Sequence, residues 1–176
     1  MSGAVLVGAL AGPPSWGCVL PADLEPDVAD AGPSSPPVVV GVSPPETYRL
    51  PGPIVVSRED SPLMGLIVRD NDVTDTLYVR LYVDYGANGP MDARPPRASC
   101  LEAANGTTER RVQCMTLALC SDIDPDDTET HVLEAMVADR EFLPDNAPSM
   151  GQPLFRALAD RERAGFSFVS WVMTCQ

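Results

Sequence analysis

The sequence contains no lysine and very little histidine. All twelve basic residues are arginine, 25 residues are acidic, and the formal net charge is −13. Because a protein this acidic repels phosphate backbones, we predict no nucleic-acid partner. His131 is the only histidine, and no Gly-x-Ser-x-Gly, glycine-rich phosphate loop or His-Glu-x-x-His motif is present. We therefore predict no catalytic residues and interpret the protein as a non-enzyme.

The N-terminal apolar run is too short to cross a membrane. Residues 1–11, MSGAVLVGALA, carry no charge, but a membrane-spanning helix needs about 20 apolar residues. The 19 prolines and 13 glycines favour short strands and turns over long helices. The length of 176 residues suits one domain plus a tail, since domains commonly have roughly 100–150 residues.

The apolar run is followed by Gly17 and Cys18. This ending resembles the signal of bacterial envelope lipoproteins, in which a small residue precedes the cysteine that is lipidated. The resemblance implies a signal peptide at residues 1–18, lipidation at Cys18, and membrane attachment through the lipid anchor only. Val19 after the cysteine, in place of aspartate, implies an outer-membrane lipoprotein, periplasmic or surface-exposed. The residues alone also fit an apolar N-terminal strand with a structural cysteine.

The next segment has the composition of a tether. From residue 21 it reads PADLEPDVADAGPSSPP, with five prolines, four acidic residues and no basic residue. Its small apolar content cannot offset the entropy of ordering the chain, and proline keeps such a segment extended. We predict a Pro/Asp-rich linker at residues 19–37 and a folded domain at residues 38–176.

Short apolar or alternating segments follow one another through the folded domain. We predict strands at residues 37–42, 48–56, 61–70, 76–85, 111–120, 131–142 and 165–175. The clearest alternation is TLYVRLYVDY, which places leucine and valine on one face and Tyr78, Arg80 and Tyr82 on the other. Residues 152–164 have apolar residues at helical spacing and are predicted as a short helix within a loop.

Two of these segments carry a family resemblance. RDNDVTDTLYVRLYVDY (residues 69–85) and HVLEAMVADREF (residues 131–142) resemble strand motifs of PKD-like and other immunoglobulin-like modules of bacterial surface proteins. In those modules a strand ending in D-x-D precedes a strand of the form D-x-L-x-V, and a later strand begins H-x-L-x-V. The resemblance implies an all-β fold, an immunoglobulin-like antiparallel sandwich of about seven strands.

Five cysteines are present, and Cys18 is one of them. The other four, Cys100, Cys114, Cys120 and Cys175, are an even number, as two disulfides in an oxidising compartment require. The residues alone leave all three pairings open. The immunoglobulin-like order implies that the strands ending in Cys120 and Cys175 run the same way, which favours that pair. Cys100 and Cys114 would then close a small loop.

An acidic cluster precedes the clearest strand. Asp70, Asp72 and Asp75 do not form an EF-hand, because the required glycine and the final glutamate are missing. In the sandwich order this loop lies at the same end as the loop with Asp139 and Glu141, so these five residues are candidate ligands of a shared calcium ion. The alternative is a turn in which aspartates bond local backbone amides. We favour the turn and predict no cofactor, with calcium as the alternative.

These features together predict a lipid-anchored envelope protein that acts as a non-catalytic binding or structural module. Its partner would be another envelope protein or a glycan. Tyr78 and Tyr82 lie on one strand face and are candidates for stacking on sugar rings, with packing against neighbouring strands as the alternative. An envelope hydrolase, or an accessory subunit of one, is the alternative function, since paired carboxylates catalyse glycoside hydrolysis.

Overall fold

Two β-sheets pack face to face in the computed structural model, which describes residues 35–43, 53–59, 63–87, 89, 93–147 and 151–176. The predicted signal, Cys18 and most of the predicted linker lie outside these residues. The described strands are β1 (Val38–Ser43), β2 (Ile54–Val56), β3 (Leu63–Arg69), β4 (Leu77–Val83), β5 (Ala98–Glu102), β6 (Glu109–Met115), β7 (His131–Ala138) and β8 (Phe166–Cys175).

The strand order is that of an immunoglobulin-like sandwich. One sheet has the order β1-β3-β6 and the other has the order β2-β8-β7-β4-β5. Every pairing is antiparallel except that of β2 with β8. The predicted all-β sandwich is therefore confirmed, with eight described strands in place of about seven.

Two elements differ in kind from the prediction, and the predicted strands at residues 111–120 and 131–142 end earlier, at Met115 and Ala138. The predicted helix at residues 152–164 is wrong, because the segment forms turns in which Phe155 and Asp160 have φ angles of 62° and 50°. A right-handed helix does not contain such angles. Strand β5 is absent from the prediction, because its residues are all exposed or half-buried and only the small residues Ala98 and Cys100 face the core.

The main core lies between the inner faces of the two sheets. It includes Leu77, Val79, Leu81 and Val83 of β4, each at most 1% exposed, together with the inward residues of β3 and β7. The predicted apolar face of β4 is therefore confirmed. Fully burying each large apolar side chain contributes about 1.5–3 kcal/mol.

Part of the outer face of the five-stranded sheet is also covered. Residues 139–165, described except for 148–150, connect β7 to β8 and are called the strap. A second apolar cluster lies beneath the strap and consists of Tyr82, Met136, Ala138, Phe142 and Leu158. The described strap has two limbs, residues 139–147 and residues 151–165. The limbs bond to each other, since Leu143 N–H donates to Ala157 O and Phe142 forms a β-bridge with Leu158.

Candidate functional site

Two loops bring four of the five predicted acidic residues to one end of the sandwich, and Glu141 is not among them. The loop after β3 carries Asp70, Asp72 and Asp75, and the strap begins with Asp139 directly after β7. Arg140 Nη1 donates to Asp75 Oδ2 at 3.0 Å and so joins the two loops. The predicted meeting of these loops is confirmed.

Arg110 supplies the buried counter-charge at this end. It lies near the start of β6 with its side chain fully buried, and its Nη2 donates to Asp70 Oδ2 at 2.7 Å. Its Nη1 donates to the backbone carbonyl of Asp75. Burial raises the pKa of Asp70, while the Asp72 N–H and the Arg110 guanidinium act against that shift. Removal of either group would leave the other charge buried and unpaired, which is strongly destabilising. The pair therefore stabilises the position of this loop.

Asp139 joins the two ends of the strap. Its Oδ1 accepts a hydrogen bond from Gly165 N–H at 2.9 Å, and its own N–H donates to Gly165 O at 3.1 Å. Burial raises the pKa of Asp139. A Cβ atom at position 165 would lie 2.8 Å from Asp139 Oδ2 and 2.9 Å from Pro36 Cα, so glycine is required there. Pro36 is one of the described residues at the C-terminal end of the predicted linker, and it packs against the sandwich at Gly165.

The aspartate oxygens that would bind calcium already accept hydrogen bonds from protein groups. Asp72 Oδ1 accepts hydrogen bonds from the N–H and hydroxyl of Thr74, as the turn interpretation predicts, and these bonds lower the pKa of Asp72. Glu141 is exposed and lines a groove beside Tyr78 and Phe142. In the described part of the chain, no group of three or more His, Cys, Asp or Glu residues has the arrangement of a metal site. The calcium alternative stays a prediction.

Arg80 holds the strap from the sheet side. It lies on the outer face of β4 and is 8% exposed. Its Nη1 donates to Phe155 O at 2.7 Å and its Nη2 donates to Leu143 O at 3.1 Å. The guanidinium also pairs with Asp145 at 3.1 Å and lies over the ring of Phe142 at 4.7 Å. One side chain therefore contacts both limbs of the strap.

Arg156 makes the reciprocal contact from the strap to the sheet. Its guanidinium pairs with Glu134 on β7. Its central carbon lies 3.4 Å from the ring centre of Tyr85, 5.0 Å from that of Tyr82 and 5.1 Å from that of Phe168. Such cation–π contacts contribute up to about 2 kcal/mol when they are desolvated. We call these three rings and the Glu134 carboxylate the arginine cage.

Two tyrosine hydroxyls complete the attachment of the strap. Tyr82 donates to Phe155 O and Tyr85 donates to Leu154 O, each at 2.6 Å. Burial raises the pKa of both tyrosines above the ordinary value of 10, so the hydroxyls stay protonated well beyond neutral pH and act as donors. Burial likewise raises the pKa of Glu134, and Arg156 opposes that shift. The strap is thus held by directional polar contacts around a small apolar cluster.

The two candidate sugar-stacking residues have different environments. Tyr82 is 0% exposed beneath the strap, so it cannot stack on a ligand while the strap is in place. Tyr78 is half-buried and lines a groove of about 290 Å³ with Leu101, Glu141 and Phe142. The packing role applies to Tyr82, and glycan binding at Tyr78 stays a prediction.

His131 lies at the opposite end of β7 from the acidic loops. Its Nδ1 is 2.7 Å from Asp84 Oδ2, and Asp84 Oδ1 accepts a hydrogen bond from Val132 N–H at 2.9 Å. Its Nε2 is 3.6 Å from Asp127 Oδ2 in the acidic segment at residues 122–129. These contacts position the start of β7 between two loops.

Both cysteine pairs occur in the favoured combination. Cys100 of β5 pairs with Cys114 of β6, and this bond joins the two sheets at one edge, with a Cα–Cα distance of 5.3 Å. Cys120, in the turn after β6, pairs with Cys175 at the end of β8, with a Cα–Cα distance of 5.9 Å. Both distances lie in the normal range for disulfides.

The arginines are the residues whose roles the sequence did not predict. Arg80 and Arg110 lie inside strands and are buried, and Arg156 lies in the segment mistaken for a helix. A planar guanidinium stacks on aromatic rings and pairs with carboxylates better than an ammonium group does. The position of Arg80 inside a predicted strand is a sequence signal of an unusual role, but it does not identify the groups that Arg80 contacts.

No known protein family matches the chain, and no curated protein matches it. The fold is similar to the crystal structure of the periplasmic chaperone SfaE, with a TM-score of 0.37 and 14% sequence identity. That similarity covers 69% of this chain and 52% of the chaperone chain, so the chain spans about half the length of the structure it matches. At this level the similarity carries no functional argument.

The described part of the chain contains no helix with the length and apolar character needed to cross a membrane.

Proposed function

We propose that the protein is an exported lipoprotein of the bacterial envelope and acts there as a non-catalytic binding module. The lipid at Cys18 fixes its position, the proline-rich segment sets its reach, and the sandwich makes contact with a partner. Another envelope protein is the partner class that we favour.

The cysteine pairing is the observation that carries this proposal. Four of the five cysteines pair with one another, so no other cysteine of the chain is left for Cys18. Disulfides persist in oxidising compartments, which for a bacterium means the envelope or the exterior. An odd cysteine that follows an apolar run and a glycine is then explained by lipidation better than by structure.

The contacts of the sandwich support the binding role over catalysis. Asp70 and Asp139 have raised pKa values, as a hydrolase would require of an acid. However, both are buried, and their oxygens accept hydrogen bonds from Arg110 and Gly165. Neither carboxyl therefore faces a substrate cleft. The hydrolase alternative stays a prediction that nothing in these contacts favours.

The test compares the full chain with its Cys18→Ala variant in a bacterium that processes lipoproteins. We expect the unaltered protein to partition into detergent with the membrane fraction, and the variant to lose this partitioning while keeping both disulfides. A Gly17→Ala variant is the matched control, because a small residue remains before the cysteine.

Two results would contradict the proposal. One is equal partitioning of the unaltered protein and the Cys18→Ala variant. The other is recovery of the unaltered protein from the cytoplasm with reduced cysteines.

A further inference from the structure

Four strands form the edges of the two described sheets, and three of them are protected against pairing with another chain. β1 carries a β-bulge, β2 has three residues, and β6 exposes the charged side chains Glu109 and Arg111. Short strands, bulges and exposed charges are the features that prevent edge-to-edge association. β5 has no bulge, and its outward residues are Ser99 and Leu101, with Leu101 58% exposed; its one charged residue, Glu102, is half-buried at the end of the strand.

β5 also has the geometry of a rigid template. It pairs with β4 on one side, and no described strand pairs with its other edge. The disulfide between Cys100 and Cys114 attaches β5 to β6 of the opposite sheet. Strand addition requires an edge whose backbone groups are unpaired and held in place, and β5 meets both conditions.

Hollows lie on both sides of this strand. One, of about 290 Å³, is lined by Tyr78, Leu101, Glu141 and Phe142, and the other, of about 320 Å³, is lined by Ala98, Gln113, Met115 and Leu117. Ser99 and Cys100 line both hollows. Because successive side chains of a strand point in opposite directions, alternate residues of an added strand would enter the two hollows.

The charge at the rim favours one kind of partner. Glu141 is exposed, and its carboxylate makes no ion pair with the described residues. Arg80 lines the first hollow and Arg97 lines the second, but Arg80 is engaged by Asp145 and the strap carbonyls, and Arg97 pairs with Asp122. With a chain net charge of −13, a lysine or arginine of the partner is the complementary group.

We propose that β5 is the docking site for an extended segment of another protein, which adds a strand to the five-stranded sheet. The segment places alternate side chains in the two hollows and a basic side chain against Glu141. This proposal names the partner of the binding module and in that respect rests on the proposed function.

The probes are short synthetic peptides that alternate valine and threonine around one arginine. A second peptide replaces the arginine with glutamate, and a third keeps the arginine but is N-methylated along its backbone. Full-length Cys18→Ala protein is titrated with each peptide, and binding is followed by fluorescence anisotropy. We expect saturable binding of the arginine peptide and at least about tenfold weaker binding of the other two, which carry a like charge or lack N–H donors.

Variants locate the site. Leu101→Lys is expected to weaken binding about tenfold, because it places a charge on the edge strand. Glu141→Gln is expected to reduce the preference for arginine over glutamate. Val132→Lys is the matched control and is expected to leave binding unchanged, since Val132 is 50% exposed on the same sheet but lies two strands away from β5. Hydrogen exchange should show slowed exchange at residues 98–102 when the arginine peptide binds.

Equal binding of the N-methylated peptide, protection at a different edge or no saturable binding would overturn the proposal. A dimer in sedimentation that Leu101→Lys dissociates would also overturn it, by making a second copy the occupant. The test protein carries no lipid, so none of these results bears on the proposed anchoring at Cys18. In the same way, failed lipidation would not contradict this docking site.

Discussion

Both faces of the five-stranded sheet bury side chains of β4, but by different means. The inner face of β4 packs Leu77, Val79 and Leu81 against the opposite sheet, where burial of apolar area suffices. The outer face presents Arg80 and Tyr82 to the strap, where hydrogen bonds, ion pairs and ring stacking act together. The first interface is non-directional and the second is directional. The strap should therefore respond to changes that leave the main core intact.

The largest expected effect comes from the inner face. Leu81→Ala leaves a cavity in the main core, and we expect it to lower the free energy of unfolding by about 2–5 kcal/mol. Urea denaturation measures the change. Leu101→Ala is the control, and because Leu101 is 58% exposed we expect a change within about 0.5 kcal/mol. Similar losses in both variants would mean that the core does not lie where the alternation of β4 places it.

A smaller and local effect is expected from the outer face. Arg156→Ala removes the partner of Glu134 and empties the arginine cage, which should cost about 1–3 kcal/mol. We expect faster hydrogen exchange in the described parts of residues 139–165 and unchanged exchange in β3 and β4. Arg161→Ala is the matched control, because Arg161 is exposed and lies 5.6 Å from the ring of Phe166. Uniformly faster exchange throughout the sandwich would show that the strap and the core unfold as one unit.

The smallest effect concerns pH. Burial raises the folded-state pKa of Glu134 above 4.5 and of Asp70 and Asp139 above 3.8. These groups bind protons more tightly in the folded state, so their stabilising contribution is complete below the ordinary values and is lost as pH rises through the raised values. The lowered pKa values of Asp72 and Asp122 act oppositely, but only as pH falls below 3.8.

We therefore expect the free energy of unfolding to rise as pH falls from neutral through the raised pKa values towards the ordinary value of 4.5. Urea denaturation at a series of pH values measures this, and Glu134→Gln should flatten the slope because it removes one of the titrating groups. A free energy of unfolding that falls steadily over this range would contradict the assigned direction of the shifts.

The sequence predicts the inner face better than the outer face for a physical reason. Period-2 alternation reports that one face of a strand is apolar, and the inner residues of β4 follow it. The outer residues Arg80 and Tyr82 look like solvent-facing positions, because their cover comes from the strap, more than sixty residues later in the chain. No local pattern encodes such a contact. The apolar spacing at residues 152–164 indicates a helix, yet the segment forms turns, and Phe155 within it has a positive φ angle.

At the end of the sandwich that carries the acidic loops, the sequence likewise predicts one part of the arrangement and not the other. Sandwich topology alone places the loop after β3 beside the segment after β7, so the approach of Asp75 and Asp139 could be predicted from strand order. Arg140, which is next to Asp139 in sequence, is the counter-ion of Asp75 and Asp139. Arg110, which is 40 residues from Asp70 in sequence, is the counter-ion of Asp70. Here an arginine guanidinium, not a metal ion, pairs with the carboxylate. Such a pairing leaves no repeating pattern along the chain, so it could be found only from the folded geometry.

The most direct test of the proposed function is the intact mass of the natural protein, measured after alkylation without reduction. We predict a chain that begins at Cys18, carries a lipid there, contains two disulfides and takes up no alkylating reagent. A chain that begins at Met1 and is alkylated at its cysteines would contradict both export and anchoring.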